Sequence, residues 1–303
     1  MPGRKPRIAL MGEFSAGKST LSNLLIGARP LPEKVTATRL SPVWMSYGTE
    51  EPYAESLEGE RTPVSLDRLE AIPVETTRVI RLFLEANILE LADLIDFPGI
   101  SDPNMASEVW ERVLPEVDAV IWCTHATQAW RQSEAAVWDM MPELVREHSI
   151  LLITRFDKLT TDTDRRRVFK RVMRETEGAF RGTFPISLLQ ALEAGDDAEA
   201  WEGSGAGPLV ATLIALIEEL AELADAQRET LHQIGTREAL EARSAPKAPP
   251  KPVRPIRVAE PGGVTPARAA RPVGRAERDD RPERPERPDR PDRPRRPRPG
   301  GEE

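Results

Sequence analysis

The segment that decides the fold reads Gly12-Glu13-Phe14-Ser15-Ala16-Gly17-Lys18-Ser19. The apolar residues 8–11 before it predict a short buried strand. Leucines at positions 21, 24 and 25 then recur at helical spacing until Gly27, a common helix terminator. A G-x-x-x-x-G-K-S pattern between a strand and a helix is typical of a phosphate-binding loop. The sequence therefore predicts strand, loop and helix, with a phosphate site at the loop.

The chemistry of this loop follows from its backbone. A tight glycine-rich turn points successive N–H groups inward at a helix N-terminus, where partial positive charge favours a polyphosphate. Lys18 is expected at the exposed mouth of the loop, where it reaches the outer phosphates, and the Ser19 hydroxyl is expected to ligate Mg²⁺. The predicted contacts with the nucleotide come from Gly12, Glu13, Phe14, Ser15, Ala16, Gly17, Lys18, Ser19 and Thr20.

A second motif follows another predicted strand, at about residues 91–95. Asp96-Phe97-Pro98-Gly99 places an acid at the strand end and a sharp turn directly after it. We expect Asp96 to hold Mg²⁺ through water and the Gly99 N–H to meet the terminal phosphate. The metal site predicted from these motifs therefore includes Ser19 and Asp96.

A third motif, Thr154-Arg155-Phe156-Asp157, follows the apolar residues 150–153. A carboxylate at a strand end can accept hydrogen bonds from the N1–H and exocyclic amine of guanine, groups that adenine lacks in that arrangement. Because an unpaired acid is costly, the resulting preference for guanine is sharp. Arg155 offers a flat or aliphatic surface to the base. We therefore predict Thr154, Arg155 and Asp157 as the base side of a guanine-nucleotide site.

The rest of the domain alternates between apolar runs and helical periodicity. Further strands are predicted at about residues 79–84, 119–124 and 150–154, and helices at about residues 106–114, 133–146 and 165–181. This alternation predicts an α/β fold with a mostly parallel sheet covered by helices on both faces.

A last helix is predicted from Pro208, with leucines spaced by three and four residues at positions 209, 213, 216, 220 and 223. Two heptads are too few to establish a coiled coil, so we expect this stripe to pack on the sheet. The stripe thins beyond Ala224, and the helix is expected to project or fray before Ser244.

Charge and proline divide the chain into two parts. The 303 residues carry 42 Lys and Arg against 50 Asp and Glu, a net charge of −8. Residues 244–303 hold 16 basic and 10 acidic residues (+6) and 15 of the 29 prolines, which leaves 26 basic and 40 acidic residues (−14) for residues 1–243. A tail of that composition cannot bury enough apolar surface to offset the entropy of ordering it. We predict a domain at 1–231, a helical extension at 232–243 and a disordered tail at 244–303.

Composition also excludes several classes of protein. The longest apolar stretch, residues 209–217, is too short to span a membrane, and residues 8–11 are too short for the core of a secretory signal. The lone Cys123 cannot form an internal disulfide and is expected to be a buried, inert thiol, which favours a cytoplasmic location. The three histidines are scattered, so no histidine–cysteine metal site is predicted.

Together these motifs resemble the G domain of the dynamin superfamily, especially its bacterial members. The resemblance covers about residues 7–231 and includes Leu31-Pro32, the Thr36-Ala37-Thr38-Arg39 segment and the two motifs at residues 96–99 and 154–157. It implies a Mg²⁺-dependent GTPase that binds GTP and GDP, pairs through its G domains and contacts membranes peripherally. The stalk and membrane paddle of the superfamily are expected to be absent.

The resemblance also implies roles for single residues. Thr38 is the switch threonine that closes over Mg²⁺ and the terminal phosphate, with Thr36 as the alternative. Ser15 helps to compensate charge in the transition state, so Ser15, Lys18, Thr38 and Gly99 form the implied catalytic set. Ser187, in Phe184-Pro185-Ile186-Ser187, lies near the guanine.

Three departures from the family pattern predict slow catalysis: Phe14 stands in place of a glutamine, Phe97 in place of a threonine and Arg155 in place of a lysine. The leading hypothesis is a slow GTPase, stimulated by pairing, that acts as a switch or assembly factor. The alternative is a nucleotide-binding scaffold with little hydrolysis that docks a protein partner through its Pro/Arg-rich tail.

Two other parts of the chain are candidate contact surfaces for partners. Nucleic-acid binding by the tail is disfavoured, because acids are interspersed among the arginines and no aromatic residue follows Trp201. The tryptophans at 122, 130 and 138 form either a contact surface or part of the interior, and we favour the interior.

Overall fold

The structure is a computed structural model that describes residues 4–27, 40–100 and 108–244, with side chains described as far as Ala226 except that of Glu70. The predictions on Leu31-Pro32, Thr36, Thr38 and residues 245–303 lie outside the described residues.

Within the described residues the chain forms nine strands and nine α-helices. The strands are β1 Arg7–Gly12, β2 Val43–Tyr47, β3 Tyr53–Ser56, β4 Arg61–Pro63, β5 Thr77–Leu84, β6 Asp93–Asp96, β7 Ala119–His125, β8 Ile150–Thr154 and β9 Gly182–Pro185. The helices are α1 Lys18–Ile26, α2 Asn87–Leu91, α3 Glu108–Glu111, α4 Gln132–Trp138, α5 Glu143–Glu147, α6 Asp162–Glu175, α7 Leu188–Ala194, α8 Ala198–Ser204 and α9 Ala206–Ser244. Short 3-10 turns lie at Leu66–Ala71, Leu114–Glu116, Ala126–Gln128 and Phe156–Lys158.

All nine strands join one sheet in the order β4-β3-β5-β2-β6-β1-β7-β8-β9. Five of its eight strand pairings are parallel, and the antiparallel ones are β2 with β6, β3 with β4 and β3 with β5. The predicted α/β class with a mostly parallel sheet is confirmed. Strand β1 lies between β6 and β7, so the loop that follows it emerges near the middle of the sheet.

Helices cover both faces of the sheet, and the side chains on both faces of the central strands are therefore buried. Side chains alternate across a strand, so Ile8 and Leu10 join one core while Ala9 and Met11 join the other. The first core contains residues of α1, α7 and α9, and the second contains residues of α3, α4, α5 and α6. Both cores meet at β1, which gives the loop after it a rigid base.

Four aromatic rings fill part of the second core. Trp122, Trp130 and Trp138 lie at 5.5–6.5 Å from one another in edge-to-face geometry, and Phe180 stacks on Trp138 at 4.0 Å. All three indoles are less than a tenth exposed. The prediction that these tryptophans pack inside is confirmed.

Two predicted helices differ from the observed ones for local reasons. The helix predicted at 133–146 is two helices, α4 and α5, because Pro142 at the N-cap of α5 interrupts it. The helix predicted at 165–181 ends at Glu175. Gly178 beyond it adopts a left-handed φ of 73°, and Phe180 turns inward onto Trp138.

The boundaries of two other elements also differ. The strand predicted at 91–95 begins at Asp93, because Leu91 ends α2 and is exposed. The described part of the helix predicted at 106–114 is only α3, and Leu114 begins a separate 3-10 turn that contains Pro115. Strands β2, β3, β4 and β9 were not predicted.

Helix α9 begins at Ala206 and runs to Ser244, further than the thinning apolar stripe suggested. Its first leucines, at positions 209, 213, 216 and 220, are buried, so the predicted packing on the domain is confirmed for them. Leu223 is 42% exposed and does not share this contact. None of the helices in the described part of the chain combines the length and apolarity that crossing a membrane requires.

Candidate nucleotide-binding site

The predicted phosphate loop lies between the carboxyl end of β1 and the N-terminus of α1. Its turn closes through a hydrogen bond from the Ala16 N–H to the Glu13 carbonyl at 3.2 Å. Gly12, Ser15 and Gly17 have φ of 139°, 58° and 97°. Gly12 is required sterically, because a Cβ there would lie 2.1 Å from the carbonyl oxygen of Cys123. The loop is therefore held tightly against β7.

Lys18 is buried, at 7% exposure, so the prediction that it lies at the exposed mouth of the loop is wrong. The loop wraps over its side chain, and Nζ donates to the carbonyls of Gly12 at 3.1 Å and Glu13 at 2.9 Å. Burial lowers the pKa of Lys18, and the nearby Asp96 carboxylate opposes that effect. The ammonium group is thus already oriented by the loop backbone.

Asp96 ends β6, directly beside Leu10 of β1, and its carboxylate accepts a hydrogen bond from the Ser19 hydroxyl. Burial raises the pKa of Asp96 to about 6, although Lys18 and the Ser19 bond act in the opposite direction. Carboxylate and hydroxyl oxygens are ligands that Mg²⁺ prefers. Their convergence beside Lys18 fits the predicted metal site.

The turn after Asp96 crosses directly over the phosphate loop. The Ile100 N–H donates to the Gly12 carbonyl at 3.2 Å. A Cβ on Gly99 would lie 2.8 Å from both N and Cα of Phe14, so only glycine fits there. The side chain of Phe97 is buried in the second core, which gives this departure from the family pattern a packing role.

The base-side segment is hydrogen-bonded to the phosphate loop. The Thr154 hydroxyl lies 2.7 Å from the Ala16 carbonyl and 3.1 Å from that of Thr124. Arg155 adopts a left-handed φ of 51°, and its guanidinium donates to the Ser15 carbonyl at 3.0 Å. Motifs separated by about 140 residues in sequence are therefore parts of one site.

A pocket of about 380 Å³ opens between these two motifs. Its walls are formed by Gly17, Thr20, Thr154, Arg155, Asp157, Lys158, Leu188 and Leu189. Lys158 and the two leucines were not predicted. The leucines directly follow Ser187, so the predicted base-side serine was the available signal for them. A Cβ on Gly17 would meet Leu188 Cδ1 at 3.1 Å, which shows how closely α7 approaches the loop.

Asp157 is held as a carboxylate at this pocket. Burial acts to raise its pKa. It is outweighed by the hydrogen bonds from the Ser187 hydroxyl, the backbone and Lys158, so the pKa is lowered. Lys158 Nζ lies 3.4 Å from Asp157 Oδ2. Ser187 is itself buried at the N-cap of α7, and it lies against Asp157, beside the predicted guanine pocket.

The side chain of Glu13 has partners outside the loop that sequence reasoning missed. The guanidinium of Arg131 lies 2.9 Å from its carboxylate, and the Ser133 hydroxyl donates to the other oxygen. Both partners lie at the start of α4, 118 and 120 residues away in sequence. No local pattern around Glu13 points to them.

Two other predicted residues flank the loop. Phe14 is 56% exposed beside the Gly99 turn. Cys123 is fully buried, as predicted, and burial raises the pKa of its thiol to about 12. Over the described residues, no group of three or more His, Cys, Asp or Glu side chains is arranged to hold a metal ion. A Mg²⁺ ion at Ser19 and Asp96 would therefore need phosphate oxygens or water to complete its shell.

A glycine-rich loop between β1 and α1, an acid at the end of the adjacent β6 and a base-side segment after β8 define the P-loop nucleotide-binding fold. Residues 8–156 match the Dynamin family, a family of GTPases. The chain carries the G domain of the dynamin superfamily.

Two curated relatives share part of this domain. Dynamin-like protein 2 of Campylobacter jejuni is 27% identical over 163 residues, which cover 51% of this chain and 26% of the relative. Isoniazid-induced protein IniC of Mycobacterium tuberculosis is 32% identical over 140 residues, which cover 41% of this chain and 28% of the relative. The chain thus matches about a quarter of the length of these relatives.

A solved structure shows the same fold. It comes from an oligomerised bacterial dynamin pair described as a mechanism for the long-range sensing and tethering of membranes. Its TM-score to this chain is 0.53 at 22% identity, covering 72% of this chain and 36% of the other.

Proposed function

We propose that this chain binds GTP with Mg²⁺ and hydrolyses it to GDP and phosphate, slowly alone and faster when two G domains pair, as a switch or assembly factor. The observation that carries this proposal is the joining of a phosphate loop to a pocket with an ionised carboxylate. Thr154 and Arg155 bond directly to the carbonyls of Ala16 and Ser15. A base and its phosphates therefore fit one continuous site.

On the phosphate side, the loop N–H groups from Glu13 to Thr20 receive the phosphates, and Lys18 exchanges its carbonyl partners for phosphate oxygens. Ser19 would hold Mg²⁺ directly and Asp96 would hold it through water. The ion would supply charge neutralisation to the phosphates. The Gly99 N–H, which the turn holds against the loop, faces the terminal phosphate.

On the base side, Asp157 accepts the two guanine donors while the Ser187 hydroxyl fixes its orientation. Arg155 covers one face of the base, and Leu188 with Leu189 provides apolar wall. Adenine presents no matching pair of donors, so this pocket favours GTP over ATP.

For hydrolysis, we assign Ser15 to compensation of transition-state charge and Thr38 to closure over Mg²⁺ and the attacking water. No glutamine or histidine follows Gly99 within residues 100–107 to orient that water. Backbone groups and a second G domain therefore complete the site, which makes the isolated monomer a poor catalyst.

Nucleotide competition and single-turnover hydrolysis test the proposal. We expect GTP to displace a fluorescent guanine nucleotide far better than ATP does, and only with Mg²⁺ present. Specific activity should rise with protein concentration, and Thr38→Ala should lower hydrolysis much more than binding. Equal affinity for GTP and ATP would refute the guanine assignment. Absence of hydrolysis with intact binding would favour the scaffold function.

We also propose that the nucleotide-binding unit is residues 1–231, followed by the helical extension at 232–243 and the tail at 244–303, with cytoplasmic action at a membrane periphery. Burial of the first leucines of α9 on the domain supports including them in this unit. Removing residues 244–303 should leave the thermal midpoint and the nucleotide affinity nearly unchanged. Co-sedimentation of the full chain with anionic vesicles tests the membrane contact.

A further inference from the structure

Glu13 is the residue at which the phosphate loop meets a second element of the fold. Its carbonyl accepts hydrogen bonds from the Ala16 N–H and from Lys18 Nζ, so its backbone shapes the turn and orients the ammonium group. Its carboxylate leaves the loop and reaches Arg131 and Ser133. One residue therefore links the interior of the loop to the first turn of α4.

The first turn of α4 is itself held by hydrogen bonds to residues of β7. Glu134 is 2% exposed, and its carboxylate accepts hydrogen bonds from Trp122 Nε1 at 3.0 Å, Thr124 Oγ1 at 2.9 Å and the Arg131 N–H at 2.9 Å. The Trp130 N–H donates to the Thr124 hydroxyl at 2.8 Å. The backbone N–H of Arg131 is thus fixed through Glu134 to β7, while the side chain is 45% exposed and pairs with Glu13.

The loop needs such support because its own conformation is costly. Ser15 is a non-glycine residue with a left-handed φ of 58°. Such a conformation persists only where its surroundings hold it. Arg155 and Thr154 hold the loop from the base side through the Ser15 and Ala16 carbonyls. Arg131 and Ser133 contact the same loop through the side chain of Glu13.

We propose that Arg131 and Ser133 are positioning residues for the phosphate loop, and that they act through the Glu13 carboxylate to keep the loop in its nucleotide-binding shape. This inference rests on the proposed nucleotide binding. It assigns a function to the first turn of α4, none of whose residues lines the described base-side pocket. It also explains why a long acidic side chain fits the loop: the Glu13 side chain is only 13% exposed and reaches the guanidinium of Arg131 at 2.9 Å.

The rival explanation is that Arg131 contacts a phosphate itself, and the two roles predict different patterns of loss. A residue that shapes the loop affects GDP and GTP alike, because both nucleotides place phosphates in the loop. A residue that contacts the terminal phosphate affects GTP only. A positioning residue also has no effect once Glu13 is removed, whereas a residue that contacts phosphate keeps its own contribution.

The experiment measures affinities for GDP and for a non-hydrolysable GTP analogue across a double-mutant cycle. Arg131→Ala should weaken both nucleotides by the same factor, about tenfold. Arg131→Ala added to Glu13→Ala should cause no further loss. Ser133→Ala should show a smaller loss of the same kind, and Arg131→Lys should recover part of the affinity. Arg167→Ala is the matched control, since that arginine pairs with Asp164 at 2.9 Å on the exposed side of α6.

Three results would overturn the proposal: affinities of Arg131→Ala within twofold of wild type, loss for GTP alone, or additive losses in the double variant. Amide hydrogen exchange of residues 13–17 in the nucleotide-free chain separates this inference from the proposed function. Faster exchange in Arg131→Ala, with an unchanged thermal midpoint, supports the positioning role of Arg131 even if the wild type binds no nucleotide. Unchanged exchange refutes it.

Discussion

Replacing Gly99 by alanine adds one methyl group at the point where the Asp96–Gly99 turn meets the phosphate loop. The added Cβ would lie 2.8 Å from N and Cα of Phe14 and 3.1 Å from its Cβ. An ordinary contact begins at 3.4 Å, so the turn and the loop must separate by about 0.6 Å. The atoms in the way are mainly backbone, so no flexible side chain can relieve the overlap.

The expected cost follows from overpacking. Forced shifts of this kind cost about 1–3 kcal/mol. For a domain of this size each kcal/mol lowers the thermal midpoint by about 2–4 °C. Because the displaced segments carry the Gly99 N–H and the Gly12 carbonyl bonded to Ile100, we also expect weaker binding of a GTP analogue.

Calorimetry on the nucleotide-free chain and titration with a GTP analogue measure the two effects. Gly203→Ala in α8 is the matched control, since a Cβ there meets nothing within 4 Å and the position is helical. That variant should be neutral or stabilised by up to about 1 kcal/mol. Midpoint and affinity both unchanged in Gly99→Ala would show that the turn does not contact the loop in solution, and the site geometry argued above would be wrong.

Three further predictions concern the base, the metal and the core. Asp157→Ala should cost about 3 kcal/mol or more of guanine preference, roughly a hundredfold in a GDP/ADP competition, because two donors of the base lose their acceptor. The pKa of Asp96 is raised from 3.8 to about 6. The folded chain therefore holds this proton more tightly, and its unfolding free energy should fall as pH rises from about 4 to about 6, as denaturant titrations would show. Mg²⁺ affinity, which needs the carboxylate, should rise over the same window, and Asp96→Asn should abolish both trends. Trp138→Ala should lower the unfolding free energy in urea by about 3–5 kcal/mol, because it empties a site packed by two indoles and a phenyl ring.

Three interior strands, β1, β7 and β8, could be predicted from the sequence to within a residue at each end. Strands β1, β7 and β8 are buried on both faces, so each appears as an uninterrupted apolar run. Strand β4 lies at the edge of the sheet with β3 beside it, and both are short and largely polar or exposed, so neither alternation nor an apolar run marks them. Helical periodicity continues across Pro142 and so predicts one helix at 133–146, although the proline divides this segment into α4 and α5.

The candidate site also has some features that the sequence predicts and others that depend on the three-dimensional fold. The loop, the Asp96 turn and the Thr154–Asp157 segment are local motifs with characteristic spacing, and the structure brings all three together. Burial of Lys18 depends on how the loop folds back over it. The contact between Glu13 and Arg131 depends on where the fold places the start of α4, the helix that follows β7 in the chain. Neither is encoded in a short window of sequence.

The tryptophans of the aromatic cluster in the second core can serve as an intrinsic spectroscopic probe of the domain. Indoles 5.5–6.5 Å apart couple electronically and should give a strong near-ultraviolet circular dichroism signal. Trp122 also donates to Glu134, which holds the first turn of α4. A change in how α4 supports the loop would therefore alter the polarity around a buried fluorophore. Emission could follow loop ordering in real time on the unlabelled chain.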